Sequence, residues 1–267
     1  MKRLAGKVAI VIGAGQSAGE SIGNGRATAI RFMEEGASVL AVDRDIASAR
    51  ETVSMAQSGE AEPVAADVAD SESLKAAVAA AMDRWGRIDV LHYNVGVSVA
   101  AGDQALEDLT DDAFDRISTI NLRGAVMAAK FVQPIMRDQR CGVILNVASM
   151  SAIETSTPLV TYRTSKAGLI AFTQQLAIRN AEYGVRANAI LPGRMVTAMA
   201  VDTRSRLTGR PREELIAERA ALIPLQGHVG TGWDIAHAAV FLASDEAGFI
   251  TGASLPVDGG ALVKIGW

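Results

Sequence analysis

Two side chains that can exchange a proton lie one helical turn apart in the sequence. Tyr162 and Lys166 are four positions apart, and Ser149 lies thirteen residues before Tyr162. Residues i and i+4 share one face of a helix, so the Lys166 ammonium can favour the phenolate and lower the Tyr162 pKa from about 10 toward neutrality. The spacing therefore predicts acid/base chemistry at Tyr162. The alternative is a packed ring beside a solvated amine, which is common at this spacing.

The elements that must position these side chains alternate along the chain. Apolar, β-branched runs predict strands at residues 8–12, 38–42, 64–66, 90–93, 143–147, 186–191 and 254–257. Ala-rich patterns predict helices at residues 26–35, 46–57, 71–85, 111–137, 160–182 and 233–243. Continuous hydrophobicity is typical of parallel strands covered on both faces by crossover helices. We therefore expect an α/β fold, a Rossmann-type doubly wound parallel sheet, in a single domain spanning residues 1–267.

A glycine-rich turn follows the first predicted strand and runs into a helix. It contains Gly13, Gly15, Gly23 and Gly25. At such a position free backbone N–H groups and the helix dipole face one point, which suits a pyrophosphate. Gly13 would permit the tight turn, Gly23 the approach of backbone to phosphate, and Gly25 the packing of helix on strand. A flexible turn is the alternative, but the strand–turn–helix context favours a dinucleotide site.

The end of the second predicted strand indicates which dinucleotide binds. Asp43 stands there, and its carboxylate can accept hydrogen bonds from an adenosine ribose and repel a 2′-phosphate. NAD is therefore expected, and NADP less so. Arg44 points the other way, because a guanidinium could stack on adenine or pair with that phosphate.

The whole pattern resembles the short-chain dehydrogenase/reductase family, over about residues 6–260. The glycine turn is similar to the family's TGxxxGxG motif, with Ile12 in place of Thr and six additional residues. Residues 93–96 resemble its NNAG segment, residues 192–197 its PGxxxT segment beside the nicotinamide, and residues 257–260 its C-terminal signature. Through these segments and an adenine-contacting Asp-Val pair, the resemblance implies further cofactor-binding residues: Asp67, Val68, Asn94, Gly96, Pro192, Gly193, Met195 and Thr197.

The resemblance also implies a catalytic tetrad of Asn121, Ser149, Tyr162 and Lys166. In it Tyr162 exchanges the proton while hydride passes between carbinol and nicotinamide, and Ser149 holds the substrate oxygen. Lys166 lowers the Tyr162 pKa and binds the nicotinamide ribose, and Asn121 holds a water that links Lys166 to solvent. The residues leave alternatives open: Ser149 as a strand-end cap, Asn121 as the partner of a buried carbonyl, and Ser151 in place of Ser149.

These observations predict an NAD-dependent oxidoreductase that interconverts a secondary alcohol and a ketone. One alternative is an NADPH-dependent 3-oxoacyl-thioester reductase. Another is a dinucleotide-sensing binding protein without catalysis. The resemblance further implies a homotetramer in which the helices that carry Asn121 and Tyr162 pack against their mates.

One long segment interrupts the alternation of strands and helices. Residues 195–231 exceed a normal connection, and a segment of this length is usually functional, so we expect a substrate lid. Its arginines could bind an anionic substrate or form a solvated face; they are Arg204, Arg206, Arg210, Arg212 and Arg219.

Composition argues against several partners. The net charge of -4 and the absence of a Lys/Arg run argue against a nucleic-acid partner. The sequence contains no run of 18 apolar residues, so no membrane span is expected. The single cysteine, Cys141, excludes an internal disulfide and indicates a reducing compartment, most simply the cytoplasm. His92, His228 and His237 lack metal-binding spacing, so no metal is expected; His92 is predicted to be a packed side chain.

Overall fold

Seven parallel strands form one sheet in the computed structural model, which describes residues 2–264. Their order is β3-β2-β1-β4-β5-β6-β7, so the winding reverses between β1 and β4. This confirms the predicted single-domain, doubly wound α/β fold. Folds of this kind bind their ligands at the reversal point. The strands are β1 (Val8–Ile12), β2 (Ser38–Asp43), β3 (Glu60–Ala65), β4 (Val90–Tyr93), β5 (Gly142–Val147), β6 (Val185–Pro192) and β7 (Ser254–Val257).

Helices cover both faces of the sheet. They are α1 (Asn24–Glu34), α2 (Ile46–Met55), α3 (Ser71–Trp85), α4 (Asp111–Ser118), α5 (Gly124–Gln139), α6 (Val160–Asn180), α7 (Thr203–Thr208), α8 (Arg212–Ala221) and α9 (Gly232–Ala243). Successive residues of β1 enter different cores: Ile10 packs with residues of α3, α5 and α6, and Val11 with residues of α1 and α9. This division explains why the strands read as continuous apolar runs.

The edge strand β3 starts earlier than predicted, at Glu60 rather than at residue 64. It pairs with β2 alone, contains Pro63, and has no fully buried residue. Because an edge strand tolerates proline and polar side chains, the apolar pattern of the sequence marks only the end of β3.

The helix predicted at residues 111–137 is interrupted. A π-helical turn, Thr119–Arg123, separates α4 from α5. The Tyr93 hydroxyl donates a hydrogen bond to the carbonyl oxygen of Ile120 in this turn, at 2.5 Å. A Cβ atom at Gly124 would collide with the same hydroxyl. The π turn thus depends on Tyr93 as well as on the local sequence.

Residues 195–231 are largely helical rather than an extended loop. They contain a π-helical turn, Ala198–Asp202, followed by α7 and α8. Val196 also forms a parallel bridge with Thr231, so the two ends of the segment lie together.

His92 is a packed side chain, as the sequence predicts. It is fully buried on β4, and its ring meets Phe32 edge-on at 6.0 Å between centroids. Neither ring nitrogen has a hydrogen-bond partner within residues 2–264. Burial lowers the pKa of His92 from 6.5 to about 3, so the ring is neutral in the folded protein. Elsewhere, none of the helices within residues 2–264 is long and apolar enough to cross a membrane.

Candidate active site

Many of the predicted site residues lie on one side of the sheet, because they end a parallel strand or follow its carboxyl end. In the strand register Ile12 lies opposite both Val42 and Tyr93, so the segments after β1, β2 and β4 are neighbours. The residues that leave the strands on this side are Gly13, Asp43, Asp67, Asn94, Ser149 and Gly193. These carboxyl ends, which we call the strand-end edge of the sheet, include the reversal point between β1 and β4, where open α/β sheets bind their ligands.

The turn after β1 is closely packed around glycine. Gly13 has a φ of +84°, and a Cβ atom at Gly25 would strike the Gly13 carbonyl oxygen. Asn94 donates from Nδ2 to that oxygen at 3.4 Å. Helix α1 has no side-chain cap at Gly23 and no acidic residue in its first turn. Its N-terminal amides can therefore face an anion, so the turn fits a pyrophosphate.

Asp43 lies at the end of β2 beside this turn. Its Oδ2 accepts from the Gly15 amide at 2.9 Å, and its Oδ1 from the Asp45 amide at 3.0 Å. These bonds hold the carboxylate at the rim of the crevice, where a ribose would lie. Arg44 is exposed. Further along the edge, Asp67 accepts from the Ala69 amide at 2.9 Å, and Val68 beside it is buried.

Tyr162 and Ser149 are in contact. Tyr162 lies in the first turn of α6, and the Ser149 side chain after β5 lies close enough to its phenol to lower the Tyr162 pKa. The Ser149 hydroxyl also accepts from the Ser151 amide at 3.1 Å. Ser151 therefore positions Ser149 through its backbone.

Lys166 is held by backbone carbonyls. Its Nζ donates to the Val147 oxygen at 2.8 Å and to the Val95 oxygen at 3.3 Å. It lies 5.9 Å from the centre of the Tyr162 ring. A Cβ atom at Gly96 would come within 3.1 Å of Nζ, so glycine leaves room for the amine. The side chain is only 2% exposed, and burial lowers the Lys166 pKa to about 7.

The Tyr162 pKa differs from the sequence prediction. Burial raises it above its ordinary value of 10, and the Ser149 side chain and the positive charge of Arg219 only partly oppose this rise. Lys166 does not draw this pKa toward neutrality, because burial disfavours its own charge, and two of its three N–H donors bind carbonyls. Tyr162 is therefore a phenol at neutral pH.

Asn121 forms a clamp on the loop after β4. Its Oδ1 accepts from the Val97 amide at 2.8 Å, and its Nδ2 donates to the Val97 carbonyl at 3.0 Å and to the Ser165 hydroxyl at 3.1 Å. Asn121 thus satisfies a buried carbonyl, which was the alternative interpretation of this residue. The bound water proposed for it stays a prediction.

Asp103 anchors α6, and no sequence signal pointed to it. Its carboxylate accepts from the Thr161 amide at 3.1 Å and from the Tyr162 amide at 2.8 Å. It is 2% exposed. A carboxylate on the first free amides of a helix stabilises that end, so Asp103 fixes the turn that carries Tyr162.

The segment after β6 forms the opposite side of the crevice. Pro192 ends the strand, and the Gly193 amide donates to the Val257 carbonyl at 3.0 Å. Met195 is buried, and the Thr197 hydroxyl accepts from the Ala200 amide at 3.3 Å. The predicted PGxxxT residues thus form one ordered turn that leads into residues 195–231.

The enlarged glycine turn is tied to that segment by a cluster that we term the loop–lid clamp: Glu20, Ser21, Asp202 and Arg212. Asp202 accepts from the Ser21 amide at 3.1 Å and from Arg212 Nε at 2.5 Å. Arg212 also pairs with Glu20 at 2.7 Å and donates to the Ser21 hydroxyl at 3.1 Å. Burial would raise the pKa of Asp202, but these donors outweigh it and hold the pKa below its ordinary range.

No group of three or more His, Cys, Asp or Glu side chains within residues 2–264 is arranged to hold a metal ion. His228 pairs with Asp234 at 3.2 Å. Cys141 is exposed just before β5.

Comparisons with known proteins identify close relatives over nearly the whole chain. Residues 17–261 match a family described as enoyl-(acyl carrier protein) reductase. The chain is 36% identical over 256 residues to 2-(R)-hydroxypropyl-CoM dehydrogenase of Xanthobacter autotrophicus, covering 95% of this chain and 97% of that protein. It is 33% identical over 263 residues to 3-oxoacyl-(acyl-carrier-protein) reductase of Thermotoga maritima, covering 98% and 100%. A crystal structure from Burkholderia xenovorans, described as a short-chain dehydrogenase/reductase, superposes with a TM-score of 0.93 at 41% identity, covering 100% of both chains.

Proposed function

Since the chain belongs to the short-chain dehydrogenase/reductase family, we propose that it is an NAD-dependent oxidoreductase that interconverts a secondary alcohol and a ketone, with Tyr162 as acid and base. Oxidoreduction of the EC 1.1.1 type is common to its named relatives, which argues against a binding protein without catalysis. The observation that carries the proposal is the contact between Tyr162 and Ser149, with Lys166 behind them, at the edge that bears the glycine turn.

The residues of the crevice fit a nicotinamide dinucleotide. The uncapped N-terminus of α1 suits the pyrophosphate and Asp43 suits the adenosine ribose. We infer that Gly13, Asn94 and the turn after β6 complete the site. When bound, the dinucleotide supplies or accepts the hydride.

Proton transfer is the work of Tyr162. In reduction its hydroxyl gives the proton to the substrate oxygen, and in oxidation the phenolate takes it back. The Ser149 hydroxyl donates to the same oxygen as charge develops there. Because burial raises the Tyr162 pKa, the protonated form needed for reduction predominates at neutral pH, and oxidation should accelerate as the pH rises.

The preference for NAD rests on the Asp43 carboxylate, whose charge would repel a 2′-phosphate. The test compares kcat/KM for NADH and NADPH in the wild type, Asp43→Asn and Glu62→Gln. The asparagine keeps an acceptor oxygen but removes the charge, so we expect the NADH preference to fall. Glu62 is an exposed carboxylate on β3, and its loss should leave the ratio unchanged. A wild-type preference for NADPH would contradict the assignment.

A second candidate is 3-oxoacyl-thioester reduction with NADPH; the name of the Thermotoga relative favours the 3-oxoacyl substrate and does not specify the cofactor. A substrate panel separates the two: neutral secondary alcohols and ketones in one arm, a 3-oxobutanoyl thioester in the other, each with both cofactors. Turnover confined to the thioester and NADPH would establish the second candidate. Hydride transfer in neither arm, with dinucleotide binding intact, would overturn both.

We also propose that residues 195–231 act as a substrate lid. The proposal is supported by two connections: Arg219 of this segment donates to the Met195 carbonyl oxygen in the turn after β6, and the loop–lid clamp joins the segment to the glycine turn. Closure of such a segment excludes water from the reacting atoms.

A homotetramer is the proposed assembly. An apolar groove lies between α5 and α6, and its lining includes Met127, Pro134, Phe172 and Leu176. Two helices with such an apolar groove between them can pack against the same helices of a second copy of the chain. Light scattering should give a mass near that of four chains, each of 27.9 kDa, and a monomer mass would exclude this assembly.

A cytoplasmic location is also proposed, because a single cysteine is typical of proteins in a reducing compartment.

A further inference from the structure

Arg219 differs from the other charged residues of the lid in its position. It lies on α8, is half-buried, and donates from Nε to the Met195 carbonyl oxygen at 3.0 Å. Met195 belongs to the turn after β6 that faces the crevice. Arg219 is also close enough to Tyr162 for its charge to act on the phenol. A cation from the lid thus reaches the acid/base.

Arg219 forms no ion pair with any Asp or Glu within residues 2–264, whereas three nearby arginines do. Arg210 pairs with Glu214 and Glu218 on the exposed side of α8. Arg212 pairs with Asp202 and Glu20 in the loop–lid clamp, and Arg194 pairs with Glu154 at 2.7 Å. The solvated-face interpretation therefore fits Arg210 but not Arg219.

The surroundings of Arg219 oppose its charge. Burial, together with the positive charges of Arg204 and Arg194, lowers its pKa to about 10. A buried charge is costly unless a partner compensates it. The hydrogen bond to Met195 uses one of the guanidinium's five N–H donors, so the fork is free to meet an incoming group.

We propose that Arg219 binds an anionic group of the substrate, a carboxylate or a sulfonate, while the secondary carbinol of the same molecule lies at Tyr162 and Ser149. The planar guanidinium matches such an oxyanion with two parallel hydrogen bonds. This inference rests on the proposed function and narrows its substrate to short hydroxy acids or oxo acids. The anion would also supply the counter-charge that Arg219 lacks.

The experiment measures the ratio of kcat/KM for anionic and neutral substrates. The probes are 3-hydroxy, 4-hydroxy and 5-hydroxy carboxylates, the matching sulfonates, and the methyl esters of the carboxylates as neutral partners. The proteins are the wild type, Arg219→Met, Arg219→Lys and Arg206→Met. Arg206 is an exposed arginine on α7 that donates to Thr203 at 3.2 Å, so its substitution removes one charge from the same lid.

We expect the wild type to favour at least one anion over its ester by about tenfold or more, as a charged hydrogen-bonded pair provides. Arg219→Met should lose about that factor on the anion and little on the ester. Arg219→Lys should recover part of it, and Arg206→Met should match the wild type. The carboxylate and sulfonate arms then tell which oxyanion the site prefers.

Two outcomes would overturn the inference. One is a wild type with no preference for any anion over its ester. The other is an equal loss of kcat/KM for anions and esters in Arg219→Met, with the pH profile of kcat shifted to higher pH. Arg219 would then act only on the Tyr162 pKa. Unfolding curves and NAD affinity show whether each variant is folded.

Failure of the proposed function is distinguishable from failure of this inference. If no probe is oxidised or reduced although NAD binds, the oxidoreductase proposal fails. Calorimetric titration of the protein–NAD complex with 3-oxobutanoate and with its methyl ester still decides the anion site. Binding of the anion that is lost in Arg219→Met supports the site, and absence of binding refutes it.

Discussion

The two sides of the crevice are held together by different forces. On the α6 side, Lys166 is bonded to backbone carbonyls, Asn121 to the Val97 backbone, and Asp103 to backbone amides. On the other side the glycine turn and the lid meet through side-chain ion pairs of Asp202 and Arg212. Backbone contacts in a buried site resist salt, whereas ion pairs near the surface are screened by it. The α6 side is therefore a fixed support, and the loop–lid side is the adjustable one.

The largest effect is expected from the group that the α6 side supports. Tyr162→Phe should lower kcat by about a hundredfold to ten-thousandfold, the usual contribution of a general acid or base, and leave NAD affinity unchanged. Steady-state rates and a binding titration measure the two quantities. Tyr183→Phe is the control, because that half-buried ring stacks on Arg137 and lies just before the amino end of β6, at the opposite end of the strand from the site. Substantial turnover in Tyr162→Phe would refute the acid/base assignment.

The support itself is tested through Asp103. Asp103→Ala frees the first amides of α6, so we expect the free energy of unfolding to fall by about 1 kcal/mol. Because Tyr162 would lose its fixed position, kcat should fall by about tenfold or more. Asp112→Ala, an exposed carboxylate in the first turn of α4, should change neither. If both variants behave alike in denaturation and turnover, Asp103 is not an anchor.

The adjustable side is tested through Arg212. Arg212→Met opens the loop–lid clamp, and since an ion pair of this kind contributes up to about 1 kcal/mol, the Kd for NAD should rise by up to about fivefold. Added salt should raise the wild-type Kd in the same direction and affect the variant less. The titration is repeated with Arg206→Met as a control for lost charge. A Kd that is equal in all three proteins would show that the clamp does not support dinucleotide binding.

At neutral pH the smallest effect is expected from His92 in the sheet, because its contribution changes only as the pH falls below 6.5. Burial lowers the pKa of His92 from 6.5 to about 3, so between these values the unfolded chain binds a proton that the folded protein does not. Stability from this group is complete above pH 6.5 and falls as the pH drops, by up to about 1.4 kcal/mol per unit. His92→Leu should flatten that slope in denaturant titrations. His237→Gln, at an exposed position on α9, should keep it.

The α6 side was predictable because its residues belong to local patterns. A strand end marks Ser149, and helical spacing joins Tyr162 to Lys166. Predicted strands at 8–12, 90–93 and 254–257 agree with β1, β4 and β7. The catalytic and cofactor roles of these residues stay predictions, since position alone does not test them.

The remaining features depend on contacts between distant segments. Asp103 reaches Tyr162 across 59 positions, and Arg212 reaches Ser21 across 191. No periodicity in either segment indicates such a partner. The Tyr162 pKa was mispredicted for a related reason: spacing shows which charges are near, but burial, which decides their strength, arises only in the folded protein.

The contact between Tyr93 and the π turn constrains how this sequence can change. Since the Tyr93 hydroxyl fills the space that a side chain at position 124 would need, Gly124→Ala should be tolerated only together with Tyr93→Phe or a smaller residue. The order of the two substitutions therefore matters: the change at Tyr93 should come first, because Gly124→Ala alone would clash with the Tyr93 hydroxyl and destabilise the single variant. Asn121 lies in the same π turn. A substitution at position 93 or 124 that shifts this turn should therefore also shift Asn121 and weaken its hydrogen bonds to the Val97 backbone.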